Sequence, residues 1–276
     1  MTRTPVEGRP IAWSAFCLAA VSLVLIACGE RSGTVPAATS SSGGVLASPA
    51  PSTVRVLIFS RTAAFRHSAI PVAVAAVIHL GDEHGYLVDA TEDAGAFTDA
   101  NLAHYRAVVF LLTTGDVLDE AQQAAFERFI RAGGGFAGVH SASDTEYGWA
   151  WYGQLVGAYF RRHPAVQPAV VRIEDAGHPS TASLPASWKR TDEWYDFRTN
   201  PRQAVHVLAS VDESTYSGGG MGRDHPIAWC HHFDGGRSWY TAMGHAAESY
   251  ADSNFLAHLE GGIESVAGIR GSDGCG

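Results

Sequence analysis

An α/β fold with a doubly wound, mainly parallel sheet is what this sequence predicts, and three observations predict it. Short apolar, β-branched runs recur at Val54–Phe59, Ala107–Leu112 and Phe136–Val139. Between them lie segments whose apolar residues repeat at helical spacing. The resulting β-α-β-α-β order needs crossover connections, which make neighbouring strands parallel and place helices on the sheet.

Each element has its own warrant. Val54–Phe59 reads as a central strand closed by Ser60. Ile70, Ala73, Val74, Val77 and Ile78 then share a helical face, with Ser68 as the expected cap and Pro71 tolerated in the first turn. Tyr86–Ala90 is the second strand and Ala107–Leu112 the third. Leu118–Arg131 is an amphipathic helix with Ala125, Phe126, Phe129 and Ile130 on one face, stopped by Gly133 to Gly135. Phe136–Val139 follows as a strand. Beyond Trp149 the rhythm changes, with further strands expected at Val170–Ile173, His206–Ser210, Ile227–Phe233 and Arg237–Thr241 and a closing helix at Tyr250–Ile263. Trp149, Trp151, Tyr152, Tyr159 and Phe160 cluster on a helix and loop, either as core packing or as an aromatic wall for a sugar ring.

The amino-terminal residues read as an address. Arg3 and Arg9 precede an apolar run from Ile11 to Ala27 that ends Leu25-Ile26-Ala27-Cys28-Gly29. The run is short for a membrane span and positively charged on its amino side, as in an export signal. Its ending resembles the bacterial lipobox, so residues 1–28 are expected to be a lipoprotein signal with Cys28 lipidated, and the protein to be exported and membrane-anchored by that lipid. Residues 29–53, rich in Ser, Gly, Ala, Pro and Thr, read as a flexible linker, 54–268 as one domain, and 269–276 as a disordered tail. Only Cys230 and Cys275 remain in the mature body. An oxidising compartment permits a disulfide between them without requiring one, and Cys230 reads as a buried strand residue. With 19 basic against 28 acidic residues and a net charge of −9, nucleic acid is excluded as the main partner.

Chemistry is expected where Phe136-Ala-Gly-Val-His-Ser-Ala-Ser-Asp144 leaves the sheet, because ligands of open parallel sheets sit beyond the carboxyl ends of the strands. The segment has the rhythm of a nucleophile elbow without the nucleophile, and His140 stands at its tip. His67, Asp116, His163, Glu193 and His245 complete the candidates. His140, Glu193 and His245 would suit a divalent metal such as zinc, manganese or nickel; the same groups could instead move protons without one. His67 and Asp116 would orient hydroxyls, although Asp116 could equally cap the following helix, and His163 could be a turn residue. His178, His225, His231 and His232 read as loop or strand residues, and Ser217–Gly222 as a mobile loop near the crevice that lacks the lysine and helix of a phosphate loop.

Five separated motifs carry a family resemblance: Ser60-Arg-Thr-Ala-Ala-Phe-Arg-His67, Thr113-Thr-Gly-Asp116, Gly138-Val-His-Ser-Ala142, Asp192-Glu-Trp-Tyr195 and Gly244-His245. In order and spacing they resemble the ThuA-like (trehalose utilisation) family, over about Val54 to Gly268. The resemblance implies a flavodoxin-like three-layer sandwich similar to class I glutamine amidotransferases, and a link to disaccharide use. Those amidotransferases need an elbow cysteine, and His140 replaces it, so glutaminase chemistry is not expected. The expectation is an exported ThuA-like domain acting on a carbohydrate or oxidised carbohydrate, with a non-catalytic sugar-binding lipoprotein as the alternative.

Overall fold

A computed structural model describes residues 53–270 and 274–275. The expected export signal, Cys28 and the linker up to residue 52 lie outside the described residues.

The amino-terminal half follows the expected alternation. β1 (Arg55–Phe59), α1 (Ile70–His84), β2 (Leu87–Thr91), α2 (Asp99–Leu102), β3 (Ala107–Leu111), α3 (Glu120–Arg131) and β4 (Gly135–Val139) run in order. Two helix starts differ from expectation. Ser68 does not cap α1: Ala69 occupies that position in helical conformation with no side-chain cap. α3 begins two residues late because Asp119 forms a capping box with Gln122, Asp119 accepting from the Gln122 backbone and Gln122 from that of Asp119.

The carboxyl-terminal half adds α4 (Ala150–Val156), β5 (Phe160–Arg162), β6 (Gln167–Ile173), β7 (Ser187–Asp192), β8 (Asp196–Phe197), β9 (His206–Asp212), β10 (Pro226–Phe233), β11 (Gly236–Thr241) and α5 (Ser253–Ala267). Nine strands form one sheet in the order β2-β1-β3-β4-β11-β10-β9-β6-β7, while β5 and β8 pair separately. β2, β1, β3, β4 and β11 are mutually parallel, and β10, β9, β6 and β7 continue as antiparallel neighbours. The doubly wound half is thus as the sequence implied, and an antiparallel extension is joined to it.

Helices cover both faces. α1 and α5 touch each other on one side, where α5 lies over β11, β4 and β3. Phe126 of α3 and Tyr152 of α4 pack with Phe110 and Phe136 on the other side, around an aromatic cluster that includes Phe59 and Phe97. Gly262 lets α5 approach β11 closely, since a Cβ there would fall 2.3 Å from the Trp239 ring. Cys230 is fully buried on β10 and forms a disulfide with Cys275, the pairing that an oxidising compartment permits.

Candidate functional site

The carboxyl edge of the parallel strands gathers the site. His140 is the first residue past β4, with φ of 52° in a region that side-chain-bearing residues occupy only when their surroundings compel it. Two bonds compel it here. Tyr240 Oη donates to the His140 carbonyl at 2.8 Å, and His140 Nδ1 donates to the Ala242 carbonyl at 2.7 Å. That carbonyl assigns the proton to Nδ1 and leaves the lone pair on Nε2.

Nε2 faces two further groups. It lies 3.4 Å from Glu193 Oε2 and 3.3 Å from His245 Nδ1, and His245 Nδ1 lies 3.2 Å from the same Glu193 oxygen. The His67 ring stands edge-on, 4.9 Å from His140 and 5.2 Å from His245 between centroids. One ligand atom from each of His67, His140, Glu193 and His245 falls within 4.8 Å of the others. Neutral imidazoles and a carboxylate converging on one point are a donor set that a divalent cation fits.

The electrostatics keep His67 and Glu193 in the forms that donor set needs. Burial, helped by His140 and His245, pushes His67 down to about 3, which keeps it a neutral imidazole. Burial would raise Glu193, but the neighbouring His140 and His245 prevail and hold the carboxyl well below the usual range. The bond to Glu193 in turn raises His245. His163 Nδ1 sits 3.0 Å from Glu193 Oε1, so Oε1 is engaged there and Oε2 is left to the histidine cluster. His163 therefore belongs to the site rather than to a turn alone.

Asp116 is not brought in. It is exposed after Gly115 and makes no side-chain hydrogen bond among the described residues, and Asp119 takes the capping role that Asp116 was also offered. The cluster opens instead into a cavity of about 360 Å³ whose walls include Phe65, Asp144, Phe160 and Tyr195. Asp144 was within the elbow motif but not singled out by sequence. Burial raises its carboxyl, against the opposing bond from Tyr147 Oη at 2.6 Å. Tyr195, two residues past Glu193, packs its ring against His140 at a 33° tilt with centroids 4.3 Å apart.

The aromatic wall differs from the expected one. Of the five residues proposed, only Phe160 faces the cavity. Trp149 and Tyr152 are core, Trp151 donates to Asp234, and the Tyr159 hydroxyl is spent on the carbonyls of Glu146 and Trp149. Ser217–Gly222 contributes no wall to this cavity and is pinned by bonds from Ser217 to Gln167, Gly220 to Asp196 and Met221 to Glu213. Ser141 Oγ is fully buried and lies 3.5 Å from His67 Nδ1.

A family model described as ThuA, trehalose utilisation, matches residues 55–265. No curated protein matches the chain. Among solved structures, a protein described as ThuA-like from Bacteroides uniformis superposes with a TM-score of 0.65 at 26% identity, covering 80% of this chain and 94% of that one. A second, from Parabacteroides merdae, gives a TM-score of 0.65 at 18% identity, with 80% and 92% covered. A β-galactosidase from Bacillus circulans shares the fold over 78% of this chain but only 31% of its own, at 14% identity and a TM-score of 0.51.

Proposed function

The chain belongs to the ThuA (trehalose utilisation) family, and on that premise we propose that it acts on a carbohydrate or oxidised carbohydrate bound against His67, His140, Glu193 and His245. His140, Glu193 and His245 would hold a divalent metal, zinc or manganese, with His67 completing the set. The observation that carries this reading is the Nε2 lone pair of His140, fixed by the Nδ1 bond to Ala242 and aimed at Glu193 and His245.

When bound, such a metal supplies Lewis-acid polarisation of a sugar carbonyl or hydroxyl oxygen. The chain's own groups do the rest. Phe65, Phe160 and Tyr195 offer apolar faces to a sugar ring, and His163 fixes which oxygen of Glu193 points inward. Asp144 and Glu193 share one cavity with carboxyls shifted in opposite directions, the pattern that divides acid–base labour. Glu193 stays ionised, and Asp144 takes up and returns a proton. Export and lipid anchoring at Cys28 are part of the same proposal and are supported by the amino-terminal sequence.

Metal content of the protein from Thr53 onward, purified without chelator, tests this beside His140→Ala and His245→Ala, with calorimetry against a panel of mono- and disaccharides. Near-stoichiometric metal in the parent, lost in both variants together with sugar binding, is expected. Sugar binding without metal would instead favour the non-catalytic capture reading, and neither metal nor sugar binding would refute the proposal.

A further inference from the structure

We infer that Asp192 is the positioning residue that brings Glu193 and His245 into one ligand set, by gripping the backbone of both with a single buried carboxylate. The inference rests on the reading of that set as metal-binding, but it concerns a residue outside it.

The need for such a device follows from the topology. Asp192 ends β7, the outermost strand of the antiparallel extension, whereas His245 follows β11 in the parallel half, with β10, β9 and β6 between them in the strand order. No ladder bond joins the two segments. The Asp192 side chain, 0% exposed, makes the junction. Its Oδ1 accepts the backbone N–H groups of Glu193 at 2.9 Å and His245 at 3.1 Å. Its Oδ2 accepts the N–H of Gly244 at 2.9 Å and Arg190 Nη2 at 2.7 Å.

Four donors on one carboxylate leave it saturated, and the surroundings are built to present them. Gly244 has φ of 109°, a conformation that lets the consecutive amides of Gly244 and His245 turn toward one anion. A Cβ at that position would meet Phe255 at 2.9 Å and Tyr250 Oη at 3.0 Å. Arg190 supplies the compensating charge and is itself immobilised. Its Nη2 also donates to Ser249 Oγ at 2.8 Å, and its guanidinium lies 4.6 Å from the Trp188 ring centre and 4.7 Å from that of Phe255. The backbone of Glu193 and of His245 thus shares one anchor, and their side chains leave that anchor to meet 3.2 Å apart.

An amide cannot substitute. Asn presents one oxygen and one NH₂ where four donors converge, so half of the contacts become donor against donor. The test is zinc affinity, measured for zinc alone by competition with a chelating indicator, in the full domain carrying Asp192→Asn. Outer groups that orient metal ligands typically change affinity 10- to 100-fold, and a loss of that size in a variant that still unfolds cooperatively is the expected result. Arg190→Lys, which keeps the carboxylate and removes one donor, serves if Asp192→Asn does not fold. Zinc affinity equal to the parent in whichever variant folds overturns the inference. Should the parent bind no zinc, the metal reading fails by itself. The positioning role is then decided by crystal structures of parent and variant: retention of the Glu193–His245 contact in the variant overturns it, and separation of the pair upholds it.

Discussion

Replacing Glu193 by Gln removes the one anionic ligand while keeping its shape, and the consequence for zinc-linked stability follows from the site geometry. In the parent, Glu193 Oε2 lies 3.2 Å from His245 Nδ1 and 3.4 Å from His140 Nε2, so a cation there would be held by one carboxylate and two imidazoles, with His67 adjacent. A ligand held at 100 times its dissociation constant stabilises the folded state by ~2.7 kcal/mol. A domain of this size gains roughly 2–4 °C in melting temperature per kcal/mol, so the zinc-induced rise in the parent is about 5–11 °C. If Glu193→Gln weakens binding ~100-fold, the same zinc concentration sits at the dissociation constant and contributes only ~0.4 kcal/mol, about 1 °C. The assay is scanning calorimetry of both proteins in excess chelator and in buffered zinc, the chelator pair isolating any direct effect of the substitution on the fold. Equal zinc-induced rises in parent and variant, or no rise in the parent, would refute the reasoning.

Four further outcomes are expected. Cys275→Ser opens a disulfide spanning 45 residues of sequence, which lowers stability by up to about 4 kcal/mol on the chain-entropy account; denaturant unfolding should show the same loss for the parent in reductant and no further loss for the variant. His258 is fully buried, and burial pushes it down to about 3, so the unfolded chain takes up a proton first and stability falls with pH below about 6.5. At pH 5 that share is about 2 kcal/mol, and denaturant unfolding of His258→Gln should show a pH profile flatter than the parent's by that amount; parallel profiles would contradict it. Phe65 is 64% exposed at the cavity, so Phe65→Ala should weaken binding of whichever sugar the calorimetric panel identifies while leaving the melting temperature within a degree or so. Mass spectrometry of the membrane fraction should find Cys28 at the mature amino terminus carrying lipid, and Cys28→Ser should leave the protein unlipidated.

The parallel half of the fold was legible because its physics is local. β3, β4 and β1 beyond Arg55 are buried on both faces and therefore read as apolar runs, and α3 shows both its stripe and its stop. β7 has no such signature. Its sequence Ser-Trp-Lys-Arg-Thr-Asp alternates exposed and buried positions, but two of the three buried ones are Arg190 and Asp192, which pay for burial by pairing with each other. A pattern written in hydrophobicity cannot report a strand whose inward face is an ion pair. β5 and β8, of three and two residues, are too short to carry any period.

The site divides along the same line. His140 was readable from its place at a strand end, and His67, Glu193 and His245 from motifs that resemble a family. Their convergence was not readable, because it depends on the return of a distant sheet edge to the parallel strands. That return is made by Asp192, whose four partners include three backbone amides that have no residue identity to read. Asp116 shows the converse. Its position at the end of β3 suggested the crevice, yet the left-handed turn at Leu112 and the turn at Gly115 carry the chain past the edge and leave it in solvent. Asp144, by contrast, lies in the short helical turn that begins at His140, so the same tight turn that lifts the histidine sets a carboxyl on the cavity wall beside it. One local turn thus supplies two groups of the site, and one buried carboxylate supplies the geometry of two more.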